Sequence, residues 1–263
     1  MPCYNRLIVD LDGVLWRGSK LIEGNVKALS HLAREGARIV FLTNNSTKSR
    51  RSYAMRITEI LGVRVGEDQV VNSGYSAATW LKRNHGCLKV LPVGGVGLVE
   101  ELVKACHLPL EPEEWYRAEA VVVGLDRSVT YSKLAMAHRA ITRGALFVAT
   151  NTDKSYPVED ATEPGAGALV EFLKASTGVE PVVDTGKPGE WILRLALERL
   201  GDGEPLVVGD RPDTDIRMAL KAGLPALLVL TGVTREPPKD LPPGVGVVRD
   251  LGEARVTGSS ICV

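Results

Sequence analysis

An α/β fold, with a doubly wound parallel sheet as its core and a second α/β unit inserted into it, is expected of this 263-residue chain on three grounds. Short apolar runs alternate with stretches of helical periodicity, the rhythm that lays parallel strands under helices on both faces. A restricted set of polar residues, Asp, Thr, Asn and Lys, follows several of those runs. About 140 residues separate Thr43 from Lys187, far more than the roughly 30 that a βαβ unit needs, so the surplus is a domain. Its bounds fall near Asn84 and Val183, leaving 1–83 and 184–263 as a discontinuous core domain and 84–183 as the insertion.

Leu7–Val9 is the first buried strand, and it runs into Asp10-Leu11-Asp12-Gly13. Val26, Leu29, Leu32 and Ala33 recur at helical spacing until Gly36 stops them. Ala37–Leu42 forms the second strand and ends in Thr43-Asn44-Asn45. Ser46, Thr47 and Ser49 offer caps to a helix that carries Tyr53, Ile57 and Ile60 and closes at Gly62. A short strand at Val70-Val71 leads to a helix over Ser76–Arg83. The insertion repeats the rhythm with strands at Val90–Val93, Ala120–Gly124 and Leu146–Thr150, a helix near Leu98–Cys106, and a looser stretch at Pro109–Glu114. Past Gly186-Lys187-Pro188 the core resumes with a helix at Trp191–Leu200, a strand at Leu206–Val208 ending in Gly209-Asp210, a helix at Ile216–Ala222 and a strand at Ala226–Leu230. Beyond Thr231, Pro and Gly are frequent and few regular elements are expected.

Composition excludes several classes of function. Hydrophobic residues make up 44% and charged residues 24%, the balance of a globular domain. Thirty-two basic residues match thirty-two acidic ones, so no net field draws nucleic acid or an anionic membrane. No apolar run approaches the roughly 20 residues that cross a bilayer. The first residues lack the charged and apolar regions of a secretion signal, so a cytoplasmic protein is expected. Cys3, Cys87, Cys106 and Cys262 are scattered, with no C-x-x-C pair, which argues against zinc or a redox motif; in that compartment they read as reduced thiols.

The chemistry starts from Asp10 and Asp12. Residues i and i+2 of a strand share a face, so the two carboxylates converge beyond the strand end, where their repulsion calls for a cation or a shared proton. In open parallel sheets, ligands bind beyond the carboxyl ends of the strands, and Thr43, Asn44, Asn45, Lys187 and Asp210 all lie near such ends. Hydrolysis of a phosphate ester fits this set. General acid-base help supplies typically 10²–10⁴ of an acceleration that reaches ~10²¹, so most of it must come from positioning and charge stabilisation. A cation bridged by carboxylates, a lysine, and hydroxyl and amide donors provide that. Hard oxygen donors without nearby His or Cys favour Mg²⁺.

With these residues in place, the sequence resembles the haloacid dehalogenase (HAD) superfamily of phosphatases, in its p-nitrophenyl phosphatase-like subgroup, which takes in NagD and pyridoxal phosphate phosphatases and carries a large C2-type cap. Four motifs carry the likeness in order: Asp10-Leu11-Asp12-Gly13-Val14-Leu15-Trp16, Leu42-Thr43-Asn44-Asn45, Gly186-Lys187-Pro188, and Val208-Gly209-Asp210-Arg211-Pro212-Asp213-Thr214-Asp215. Asn151-Thr152-Asp153, Tyr156-Pro157 and Pro164-Gly165-Ala166-Gly167 extend it into the insertion.

The resemblance implies a Rossmann-like core and an aspartyl-phosphate mechanism. Asp10 would be the nucleophile and Asp12 the proton shuttle; Asp10, the backbone carbonyl of Asp12 and Asp210 would contact Mg²⁺, with Asp215 behind them. Thr43, Asn44, Asn45, Lys187 and Arg211 would hold the phosphoryl group and the ester, and Tyr156 would reach the leaving group from the cap. The implied substrate is a small phosphorylated metabolite, with a homodimer through the cap as a further expectation. Transfer of the phosphoryl group to an acceptor alcohol remains an alternative. So does a phospho-accepting or binding protein without turnover, which the intact carboxylates disfavour.

Other features carry less. Gly94-Gly95-Val96-Gly97 lacks the ending of a nucleotide loop and reads as a turn. Lys48, Arg50 and Arg51 read as a solvated helix start, the four histidines stand singly, and Trp16 either covers the site or packs beside it.

Overall fold

The computed structural model describes residues 2–158 and 161–263. Its larger sheet has six parallel strands in the order Val245–Val248, Ala226–Val229, Leu206–Gly209, Arg6–Asp10, Arg38–Thr43, Val70–Asn72. Alternation along each strand builds a core on either face. Leu7, Val9, Ile39 and Phe41 meet Leu29, Leu32, Tyr53 and Ile57 of the helices Glu23–Arg34 and Arg50–Leu61. Ile8, Val40 and Leu42 point the other way, onto Ile192, Leu195 and Ala196 of the helix Glu190–Leu200 and Met218 of the short helix Arg217–Lys221. Both faces are buried, as an all-parallel sheet requires.

The chain reverses its direction of travel across this sheet between Arg6–Asp10 and Leu206–Gly209, whose next neighbours lie on opposite sides. Such a switch point opens a crevice at the carboxyl ends of the strands. Asp10 closes one of the two strands and Asp210 follows the other.

A second parallel sheet, in the order Val183–Asp184, Leu146–Ala149, Ala120–Val123, Lys89–Val93, Leu108–Pro109, is formed by residues 89–184. One face packs on the helices Tyr131–Thr142 and Ala166–Thr177 through Leu134, Ala137, Val170 and Leu173. The other meets Ala77, Ala78 and Leu81 of the helix Ser73–His85, and Leu98 and Leu102 of Val96–Lys104. Ser73–His85 also touches the first sheet's covering helix, with Trp191 Nε1 donating to the Ser76 carbonyl at 2.9 Å. One helix is thus shared between the two sheets.

The glycine-rich stretch is a seam rather than a turn. Gly95 caps the helix Val96–Lys104, Gly97 N–H donates to the Thr47 carbonyl, and a Cβ at Gly97 would lie 2.2 Å from the Lys48 carbonyl carbon. Only glycine lets this helix sit against the loop that follows Thr43. The basic cluster is in part structural too: Arg50 ties Glu101, buried on that helix, through both its backbone N–H and Nε.

Two expectations fail. The four cysteines are paired, Cys3 with Cys262 and Cys87 with Cys106, rather than free. The chain's own pairing explains the first: the strand Cys3–Tyr4 runs antiparallel to Ser260–Cys262, bringing together residues 259 apart in sequence. The Pro- and Gly-rich tail also forms strands, at Val245–Val248 on the sheet edge and at Arg255–Thr257 and Ser260–Cys262, because hydrogen bonding to preformed edges outweighs weak local propensity. Among the described residues no helix is long and apolar enough to cross a membrane.

Candidate active site

Asp10 stands at the carboxyl end of its strand, 6% exposed, with its Oδ1 2.5 Å from Nζ of Lys187. The same ammonium donates to Oδ1 of Asp215 at 2.7 Å and faces the Leu42 carbonyl at 3.4 Å. Burial works against the charge on Lys187, but the two carboxylates outweigh it and hold the ammonium above its usual range. Burial pushes Asp10 well above the ordinary carboxylate range; Lys187 pulls it down, while Asp215, Asp210 and Asp12 push it up. One lysine does not balance so much negative charge.

Asp210 makes the deficit plain. Its Oδ2 accepts the Val233 N–H at 2.6 Å, while its Oδ1 is buried without a hydrogen-bond partner. Burial and repulsion from Asp215 push it up to about 7. Oxygens of Asp10, Asp210 and Asp215 lie within 4.8 Å of one another. A buried acceptor lacking a donor, within a cluster of hard anionic oxygens, is the donor set of a divalent cation such as Mg²⁺. Backbone approaches shape the pocket: Gly13, at φ +92°, would place a Cβ 2.4 Å from Asp210 Oδ2, so no other residue fits.

Asp12 turns away from this cluster into the cavity. Trp16, fully buried, donates its indole N–H to Oδ1 of Asp12 at 2.9 Å, and Thr43 Oγ1 lies 3.5 Å from Oδ2. Trp16 therefore holds the side chain that the sequence marks as proton carrier. Its ring stacks parallel to Tyr53 and lies under the guanidinium of Arg56.

The loop after Thr43 is organised by its asparagines. Asn44 Oδ1 accepts the Lys187 N–H at 2.7 Å, and its Nδ2 donates to the Lys187 carbonyl and to Asp153. The side chain of Asn44, at the wall of the cavity, thus positions Lys187 and ties it to Asp153. Asn45 Oδ1 caps the turn through the N–H and hydroxyl of Thr47. Asp215 Oδ2 receives the Arg211 N–H, behind Lys187. Arg211 lines the cavity, but its guanidinium is paired with Asp153 at 3.2 Å and Asp213 at 2.7 Å.

The two sheets' carboxyl ends meet across a cavity of about 560 Å³, which Asp10, Asp12, Thr43, Asn44, Asn45, Tyr156, Lys187, Asp210, Arg211 and Asp215 all line. Tyr156 reaches it from the hairpin Ser155–Pro157/Thr162–Pro164, its hydroxyl bonded to Glu163 and accepting from Nε of Arg127 at 3.0 Å. Arg56 and Arg127 went unmarked in the sequence, whereas Asp153 stood in the motif that extends the resemblance into the insertion. For Arg127 the signal was there: it follows a strand of the second sheet as Asp210 follows one of the first.

A family model described as haloacid dehalogenase-like hydrolase matches residues 7–106, and a second, HAD-hydrolase-like, matches 184–254. The chain is 38% identical over 252 residues to phosphoglycolate phosphatase 2 of Arabidopsis thaliana, covering 87% of this chain and 83% of that one. Its structure superposes on a p-nitrophenyl phosphatase from Archaeoglobus fulgidus with a TM-score of 0.87 at 36% identity, over 96% and 98% of the two chains. A glycerol phosphate phosphatase from Mycobacterium tuberculosis, in complex with magnesium, matches at 0.80 and 39% identity over 88% of this chain and 69% of that one.

Proposed function

Because the chain belongs to the haloacid dehalogenase-like hydrolases and is a phosphatase of that family, we propose that it hydrolyses small phosphomonoesters with Mg²⁺, through an aspartyl phosphate on Asp10. The observation that carries this reading is the buried Lys187 bridging Asp10 and Asp215 beside an unpartnered oxygen of Asp210. Lys187 binds Oδ1 of Asp10, while Oδ2 makes no hydrogen bond to any described residue and is free to attack. Asp10, Asp210 and the backbone carbonyl of Asp12 would hold Mg²⁺, which supplies positive charge against the phosphoryl oxygens and relieves the carboxylate repulsion.

Asp10 oxygen forms a bond to phosphorus as the ester oxygen leaves, and Asp12 gives that oxygen its proton. Asp12, now ionised, takes a proton from water as the water oxygen attacks phosphorus and the Asp10–phosphorus bond breaks. Lys187 pulls Asp10 back toward its ionised form against the effect of burial and offsets charge on the transferring group. Thr43 presents a hydroxyl at the end of the neighbouring strand. The insertion closes the cavity over these groups and keeps bulk water from the phosphoenzyme.

Purified protein should release phosphate from p-nitrophenyl phosphate when Mg²⁺ is present. Activity that survives complete removal of divalent cations by EDTA would remove the metal from this account.

A further inference from the structure

The phosphoryl chemistry leaves unused the insertion's own motif, Asn151-Thr152-Asp153 with Pro164-Gly165-Ala166-Gly167. The chain there is built around Asp153. Asn151 Oδ1 accepts the Asp153 N–H at 3.1 Å, and the Asp153 carbonyl accepts the Gly167 N–H at 2.9 Å. A Cβ at Gly165 would lie 2.2 Å from that carbonyl oxygen and one at Gly167 2.8 Å from it, so both glycines are needed for the backbone to close on Asp153.

The carboxylate held in this way lines the cavity, where its charge opposes a dianionic ester unless donors take it up. Two donors do, and both come from loops of the first sheet. Asn44 Nδ2 donates to Asp153 Oδ2 at 2.9 Å, and Arg211 Nη1 pairs with Oδ1 at 3.2 Å. Each donor also supports Lys187. The Asn44 amide accepts the Lys187 N–H and donates to the Lys187 carbonyl, so the bond to Asp153 holds the amide in the orientation that clasps both. The Arg211 N–H donates to Asp215 Oδ2 at 3.3 Å, and the other oxygen of Asp215 holds the Lys187 ammonium. The two oxygens of one carboxylate thus reach the main chain of Lys187 through Asn44, and its counter-ion through Arg211.

We infer that Asp153 is a positioning residue for Lys187: supplied by the insertion, it fixes the two loops that set the ammonium between Asp10 and Asp215. A displacement of about 1 Å in such a site can cost 10²-fold in rate. The inference rests on the phosphatase reading and makes the insertion part of the catalytic geometry as well as a cover. A residue that met the leaving group instead would act through KM, and differently on each ester.

The test is hydrolysis of p-nitrophenyl phosphate and glycerol 3-phosphate with Mg²⁺, each rate divided by the fraction folded in that sample. Asp153→Asn keeps the shape but offers one acceptor oxygen to two donors, and Asp153→Ala offers none. On each ester that the wild type hydrolyses, Asp153→Ala should lower kcat about 10-fold with KM within about 3-fold, and Asp153→Asn should lower it by a smaller factor. Once Asn44→Ala has removed one route, adding Asp153→Ala should cost about 3-fold or less. An equal loss of kcat with and without Asn44, a loss confined to KM or to one of two hydrolysed esters, or full kcat in Asp153→Ala overturns the positioning role and leaves the phosphatase reading standing. Wild-type protein that releases phosphate from neither ester overturns both.

Discussion

Replacing Lys187 with Met tests the electrostatics on which the site depends. Nζ lies 2.5 Å from Asp10 and 2.7 Å from Asp215, with all three groups buried. Opposite charges about 4 Å apart attract by roughly 4 kcal/mol at an effective dielectric constant near 20, so the two pairs offer roughly 8 kcal/mol before desolvation. Much of that is cancelled by taking three charges out of water. What Lys187→Met exposes is the cost of two buried carboxylates left facing each other, about 3–5 kcal/mol by comparison with other broken buried pairs. In a chain of this size that lowers Tm by about 10 °C. Asp10 then binds a proton more tightly and loses its nucleophilic form, and kcat should fall by at least about 10²–10³. Adding Asp215→Asn removes one of the orphaned charges and should restore part of the stability but none of the activity. Denaturant unfolding in metal-free buffer and p-nitrophenyl phosphate kinetics read the two effects. An unfolding midpoint within error of wild type, or a kcat within about 10-fold of it, would refute the reasoning.

Trp16→Phe deletes the N–H held by Asp12 and leaves a small cavity where the larger indole was buried; kcat should drop about 10-fold with a modest loss of stability, and an unchanged kcat returns Trp16 to a packing role. The raised carboxylates set the pH response of the metal-free protein. Asp210 titrates at about 7 and Asp10 also lies above its ordinary value, so the folded chain keeps protons that the unfolded chain has released above about pH 4. Stability in EDTA should therefore fall as pH rises from about 5 to about 8, and Mg²⁺ should raise Tm more at the upper end; thermal scans showing the opposite slope contradict the assignment. Removing the Cys3–Cys262 bridge should lower the unfolding free energy by up to about 5 kcal/mol, and removing Cys87–Cys106, which spans 19 residues, by about 3, because the longer loop frees more chain entropy. Paired Cys→Ser variants compared by denaturant midpoints check this, and the reverse order would count against it.

The first sheet and its strand-end residues were legible because their determinants are local. Apolar runs such as Leu7–Val9 and Leu206–Val208 declare buried strands, and Asp10, Thr43 and Asp210 sit at or near their ends whatever the rest of the chain does, while Lys187 follows Val183–Asp184 of the second sheet. What was illegible depends on distant partners. The 259-residue bridge from Cys3 to Cys262 exists only once the two terminal strands pair. Val245–Val248 becomes a strand because the edge of the sheet receives it. That the side chain of the asparagine beside Thr43 also grips the Lys187 loop and Asp153, more than 100 residues downstream, shows only in the folded chain. The far wall of the cavity, with Arg56 and Arg127, becomes visible only when the ends of the second sheet are laid over those of the first.

In the proposed mechanism Asp10 carries the phosphoryl group. In an Asp12→Asn variant given p-nitrophenyl phosphate, the leaving phenolate needs no proton, so transfer to Asp10 proceeds while activation of water is lost. Acid quenching, digestion and mass spectrometry should then find one phosphoryl group on the peptide bearing Asp10, and none when Asp10→Asn is added. A phosphoryl group on another residue, or none on a variant that has released p-nitrophenol in a burst, would contradict the account.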